Sequence, residues 1–376
     1  MKVSPLVLAS LALACTGQAD DTSDTDDEQL QPFDPALAAD LEEELQSELD
    51  ERGVVGMTLA VQLPETETLL ISVGTADLET DRALEPTDRF RIASVSKTFT
   101  AALILQLVDE GLLSVDDLLA DHLDLLEHDT GITIAHLLNH SAGVPEYNST
   151  MAFQLRKNKA WTDEELIAVV ADEALLHTPG GAWSYSNSHY VLLGMVAESL
   201  TGEELPSLFQ DRFFDPLGLN DTALPLDDWG DIVPCYVGEV DTTDSIHPTG
   251  GSSAGGVTSS PADLLRWGTA FGSGELVRSE TYALQQSDPL VVVEDFMWYS
   301  LGMVQMGESL DDPELELGHN GKLDGAAAWM GYRPSRRATM VILGNSWAQD
   351  GDSLDSDYPL RISRGLWDLI EAADSR

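Results

Sequence analysis

The chain has 376 residues, 43% of them apolar, and sets 19 basic side chains against 66 acidic ones for a formal net charge of −47. That much apolar material fills one large domain or two lobes sharing a site, and it excludes a disordered chain. The charge excludes nucleic-acid binding, which needs a basic surface, and points to a heavily solvated, salt-adapted exterior on a chain expected to stay monomeric.

Residues 1–14 read as an export signal: Lys2, then an apolar run too short to span a bilayer. The box Ala12-Leu13-Ala14-Cys15 resembles a lipoprotein cleavage site with Cys15 as the lipidated residue, and Gly17-Gln18-Ala19 is a rival, ordinary site. The membrane is therefore expected to enter only through a lipid anchor, on a cell-envelope, periplasmic or secreted protein. Residues 15–33, rich in Asp, Thr, Ser and Glu, form an acidic disordered tether. With Cys15 and Cys235 as the only cysteines there is no disulfide framework, and Cys235 is expected as a small buried apolar residue.

Pro35–Arg52 has helical periodicity and Gly53 to end it; residues 54–63 and 68–74 read as a strand hairpin. Residues 112–126, 134–139, 162–176, 190–200 and 262–271 carry helical patterns. Strand-like runs return at 299–306, 316–319, 326–331 and 339–344, before a terminal helix at 360–373. Strands at both ends and helices between them predict an α/β (α+β) architecture: a sheet lobe, about 34–90 and 290–372, with a helical lobe, about 91–289, inserted into it.

The chemistry centres on Arg91-Ile-Ala-Ser-Val-Ser-Lys97. If Ser94 opens a helix, the i,i+3 spacing sets the Lys97 amine beside its hydroxyl, which is what a serine nucleophile needs from a base. The chain has five lysines, and only Lys97 has a serine three residues before it. Tyr185 and Asn187 follow in a Gly/Ser-rich loop. A phenol near a lysine ammonium loses its proton more easily, making Tyr185 a base or relay, and Asn187 suits a substrate carbonyl or amide. His319-Asn320-Gly321-Lys322 then sits at the end of an alternating strand, where the Lys322 backbone N–H would pair with that of Ser94 as an oxyanion hole.

Ser-x-x-Lys, Tyr-x-Asn and His-x-Gly in this order resemble the serine β-lactamase/penicillin-binding superfamily, in the branch of class C β-lactamases and D-alanyl-D-alanine carboxypeptidases. The resemblance extends through Leu105-Gln-Leu-Val-Asp-Glu-Gly-Leu-Leu113, His136-Leu-Leu-Asn-His-Ser-Ala-Gly143 and Ser252-Ser-Ala-Gly-Gly256. It implies an antiparallel sheet flanked by helices, an inserted all-helical domain and the active site between them, within a catalytic domain over 34–372. It further implies Ser94 as nucleophile, Lys97 as its deprotonating partner, Tyr185 as proton carrier and Asn187, His319, Asn320, Gly321 and Lys322 around the substrate, with no metal and no organic cofactor. His136 and His140 fall in a segment read as structural.

The expected substrate is small: a peptidoglycan stem peptide of D-Ala-D-Ala type, an ester or a β-lactam. His-x-Gly favours carboxypeptidase-like enzymes. Their carboxylate-gripping arginine on the preceding strand is replaced here by Val304, which leaves Lys322 to supply the missing cation, and Trp183, Trp298 and Trp329 are expected to shape specificity. The competing class is a non-catalytic penicillin- or peptidoglycan-binding envelope protein with the same fold.

Overall fold

The structure, a computed structural model, describes residues 30–375 apart from 129–130, 294–295 and 351–352. The export signal, Cys15 and most of the acidic tether lie outside the described residues. The tether's last residues do not fit the expectation, because Gln31 bridges Thr66 and ties the chain to the turn of the first hairpin.

Among the described residues one antiparallel sheet dominates. Its strands in chain order are β1 (Gly56–Gln62), β2 (Leu69–Asp77), β3 (Arg82–Ala83), β4 (Leu290–Val293), β5 (Met297–Tyr299), β6 (Val304–Met306), β7 (Glu316–Leu323), β8 (Ala326–Arg333) and β9 (Ala338–Gly344). They lie in the order β3-β2-β1-β9-β8-β7-β6-β5-β4, so β1 from the start of the chain is zipped between β2 and β9 from its end. Both faces of the central strands are covered, and β8 and β9 are buried along their whole length. Such strands read as continuous apolar runs, as 326–331 and 339–344 do.

Helix α1 (Pro35–Arg52) and the terminal helix cover one face. Asp34 caps α1, accepting from the Ala36 N–H, and Gly53 ends it in the left-handed conformation that glycine adopts without penalty. Leu37, Leu41, Leu45 and Leu49 form its buried stripe. The opposite face carries α2 (Ser96–Asp109), α3 (Asn187–Thr201) and α4 (Pro261–Ser273); α5 (Tyr358–Asp374) is the terminal helix. Helix α2 is buried nearly all round, with the Phe99 ring stacked 3.8 Å from that of Trp267. This helix carries Lys97, and its burial explains the apolar run that the sequence shows on every side.

Three expected elements come out differently. Residues 112–126 form no α-helix: Asp117 turns back onto the Ser114 N–H, and Leu118 pairs with Thr133, so tertiary pairing overrides the helical pattern. The helix expected over 162–176 stops after Asp163–Ala168, and Leu176 bonds to the Gly143 carbonyl. The strand expected over 299–306 is a hairpin of β5 and β6. It folds at Gly302 (φ 76°), where a Cβ would lie 2.2 Å from that of Ala101.

Candidate active site

Strand β6 pairs with β7 only along 316–318, so beyond Gly318 that edge of β7 is left unpaired by β6. There it meets the turn that precedes α2. Ser94 does not open the α-helix itself. It lies in the 3₁₀ turn Ala93–Val95, with Ala93 at φ 49°, and α2 begins at Ser96. The turn is pinned from behind by Ser96, whose hydroxyl donates to the Ala93 carbonyl and accepts from the Val257 N–H. The expected i,i+3 contact survives the change of helix type: Lys97 Nζ is 3.2 Å from Ser94 Oγ.

Lys97 is fully buried. Its Nζ also donates to Asn187 Oδ1 at 2.6 Å and to the Ala254 carbonyl at 2.7 Å. Burial pushes its pKa down to about 7, opposed by the negative charge of Glu146. Glu146 acts on Lys97 by its charge through space, and it also holds Asn187, whose backbone N–H and Nδ2 donate to Glu146 Oε2 at 2.7 and 3.0 Å. Burial in turn raises the Glu146 carboxyl, so the two groups titrate together. Asn187 is held at both ends of its amide, which leaves one Nδ2 proton for a substrate.

Tyr185 donates its hydroxyl proton to Ser94 Oγ at 2.9 Å. The expectation of an acidified phenol is not met: burial, the largest cause, drives its pKa far above 10, with Glu146 and Asp357 adding to the rise. Tyr185 therefore carries its proton, and Lys97 is the group poised near neutrality. The ring of His140 backs the phenol at 4.3 Å between centroids. His140 is buried at φ 61° with Nδ1 3.1 Å from that of His189, and His136 closes a capping box with Thr133. Both residues do structural work, as expected.

His319 lines the cleft, as expected, with both ring nitrogens taken up by protein groups. Its side chain is buried, Nδ1 lies 2.5 Å from the Asn320 carbonyl and Nε2 lies 2.9 Å from the Tyr299 hydroxyl. Burial and the nearby Lys97 push its pKa down to about 3, so the ring is neutral. A carbonyl can only accept, which assigns the ring proton to Nδ1 and makes Nε2 the acceptor of the Tyr299 proton. With both nitrogens engaged, His319 borders the cleft as a neutral ring and ties β7 to Tyr299. Gly321 comes so near the Ser94 turn that a Cβ there would lie 2.2 Å from the Ile92 carbonyl oxygen and 3.2 Å from the Ser94 nitrogen. Lys322, the next residue, has its Nζ 3.3 Å from Asp357 Oδ2, and Asn320 Nδ2 donates to Asp357 Oδ1 at 2.9 Å.

These groups surround a cleft of about 370 Å³ with Ser94, Tyr185 and Asn187 at its polar end and Trp183, Val292, Met297 and Val304 along an apolar wall. Of the three tryptophans expected to shape it, Trp183 does so; Trp298 is not among the lining residues, and Trp329 is wholly buried in β8 with its indole N–H on Glu316. Cys235 is buried, as expected, against the Arg91 guanidinium. Sequence reasoning missed Glu146 and Asp357. Nothing local distinguishes them among 66 acidic residues.

The family described as Beta-lactamase matches residues 38–361 of this sequence. The chain belongs to the beta-lactamase family. Penicillin-binding protein 4* of Bacillus subtilis (strain 168) is 32% identical over 155 residues, which are 41% of this chain and 34% of that protein. The chain thus spans about a third of the length of the curated relatives it matches. Among solved structures, the D-amino acid amidase from Ochrobactrum anthropi SV3 complexed with D-phenylalanine aligns with a TM-score of 0.81 at 25% identity, over 90% of this chain and 100% of that one. The octameric penicillin-binding protein homologue from Pyrococcus abyssi aligns with a TM-score of 0.71 at 26% identity, over 82% of this chain and 73% of that one. This beta-lactamase-family chain therefore has the antiparallel sheet flanked by helices that its motifs imply.

Proposed function

We propose that this member of the family is an exported serine hydrolase that works through an acyl-enzyme, with D-alanyl-D-alanine carboxypeptidase-like machinery that cleaves amide, peptide or ester bonds of small substrates. The observation that carries this reading is the contact of Ser94 Oγ with both Lys97 Nζ and the Tyr185 hydroxyl. Neutral Lys97 takes the Ser94 proton as Oγ attacks the substrate carbonyl. The backbone N–H groups of Ser94 and Lys322 receive the oxyanion. As the carbonyl carbon loses its leaving group, Tyr185 gives that group a proton, Lys97 returns one to the phenol, and water later releases the acyl group by the same route.

The likeness to an amidase and to penicillin-binding proteins supports amide-bond substrates. The apolar wall of Trp183, Val292, Met297 and Val304 favours a second reading, a small-ester hydrolase using the same nucleophile. The test is intact mass of residues 30–376 after benzylpenicillin and, separately, a fluorophosphonate, beside Ser94→Ala. We expect a fluorophosphonate adduct on the wild type that is absent from the variant, and a penicillin adduct would add a β-lactam to the acyl donors of Ser94. No adduct and no turnover with penicillin, fluorophosphonate or short-chain p-nitrophenyl esters would refute the hydrolase reading and leave a binding protein.

A further inference from the structure

The Asn320 and Lys322 end of the cleft is organised by a residue outside the three motifs. Asp357 occupies the N-cap position of α5, yet its carboxylate makes no cap hydrogen bond with that helix. It turns instead to β7, accepting from Asn320 Nδ2 and pairing with Lys322 Nζ. Lys322 is the only cation among the described residues that line the cleft, and the histidine beside it is neutral. Its charge is therefore already matched. Arg361, on the first turn of α5, is held by Asp355 at 3.0 Å. A free carboxylate entering here meets a closed ion pair with an aspartate at its centre, and the acidic surface of the chain opposes it further.

The group with the opposite properties fits. A carboxylate can only accept, so Asp357 fixes the nitrogen of Asn320 toward itself. The side-chain oxygen of Asn320, Oδ1, is then the end of the amide left for a ligand that donates an N–H. Asn320 and Lys322, which Asp357 holds, line the same cleft as Ser94 and Tyr185. What binds at this end therefore occupies the cleft of the nucleophile.

We propose that Asp357 is a specificity-determining residue that closes this end of the cleft to free carboxylates. The substrate group bound there is uncharged: a continuing peptide unit, a primary amide or an ester. Lys322 on this reading does not replace the missing carboxylate-binding arginine. It neutralises Asp357. The inference rests on the acyl-enzyme reading above and narrows the substrates of that site to amidated, esterified or internal bonds.

The test uses two small ester substrates that are alike except that one ends in a free carboxylate and the other in its methylamide. Each is made with that end on the acyl side and on the leaving side. The readout is the ratio of kcat/KM for methylamide over carboxylate. We expect the wild type to favour the methylamide at least about tenfold on one of the two sides. Asp357→Asn keeps the size and an acceptor but releases the Lys322 charge, so the ratio should fall about tenfold; adding Lys322→Met should restore it. Asp357→Ser serves if Asp357→Asn does not fold. A wild type that prefers the carboxylate, or a ratio equal in the wild type and the Asp357 variants, overturns the proposal. Hydrolysis of both substrates that persists in Ser94→Ala overturns the acyl-enzyme reading instead.

Discussion

Replacing Gly321 by alanine tests whether the approach of β7 to the Ser94 turn sets the catalytic geometry. Gly321 is a strand residue without a left-handed φ, so its need for glycine is steric. The added Cβ would lie 2.2 Å from the Ile92 carbonyl oxygen, 3.2 Å from the Ser94 nitrogen and 3.3 Å from the Ala93 Cβ. Carbon and oxygen need a little over 3 Å, so something must give by about 1 Å. β7 cannot retreat easily, because its far edge is paired with β8 through Gly321 and Ala328. The Ile92–Ser94 turn must shift, and it carries the nucleophile. A displacement of about 1 Å in a reacting group costs about a hundredfold, or roughly 2.7 kcal/mol of barrier. Overpacking adds a stability loss of about 1–3 kcal/mol.

We expect Gly321→Ala to lower kcat/KM for a p-nitrophenyl ester about a hundredfold, to slow fluorophosphonate labelling in parallel and to melt a few degrees lower. Gly202→Ala is the control: Gly202 ends α3 at φ 74° with nothing within 4 Å of its Cβ position, so this variant should lose stability and keep its rate. Gly321→Ala within twofold of the wild-type kcat/KM would refute the steric reasoning.

Because Lys97 must be neutral to accept the Ser94 proton and its pKa is lowered to about 7, log kcat/KM should rise with pH through about 7 and then level. A profile flat from pH 5 to 9 would remove Lys97 as the base. Glu146→Gln removes the charge that holds the Lys97 pKa up, so the rising limb should move to lower pH; a limb that stays or moves up contradicts the charge coupling of Glu146 to Lys97. Burial raises the Asp163 carboxyl to about 7, although Ser252 Oγ donates to it. A carboxyl that binds its proton more tightly when folded contributes stability that is complete below its unfolded pKa and is lost as pH rises through about 7. Asp163→Asn should therefore stabilise the chain by about 1–2 kcal/mol at pH 8 and not at pH 4, read from urea midpoints, the figure being reduced because the side chain is only partly buried. With a formal net charge of −47, the melting temperature should rise with added salt, and a constant value would count against salt adaptation.

What the chain states about itself is what neighbours in sequence decide. The bounds of α1 follow from Asp34, Pro35 and Gly53, because capping is local. The β1–β2 hairpin and the buried runs of β8 and β9 follow from apolar patterning. The Ser94–Lys97 contact is legible because three residues of either helix type bring the two side chains together. Tertiary structure decided whatever depends on residues far along the chain. It turned 112–126 away from a helix through the pairing of Leu118 with Thr133, and it buried Trp329 outside the cleft. It raised the Tyr185 phenol where a nearby ammonium alone would have lowered it, because desolvation is a property of the whole surround. It brought Glu146 to Asn187, and it set Asp357 against Asn320 and Lys322. A carboxylate's partners are chosen by folding, and in a chain this acidic no local pattern marks which ones they will be.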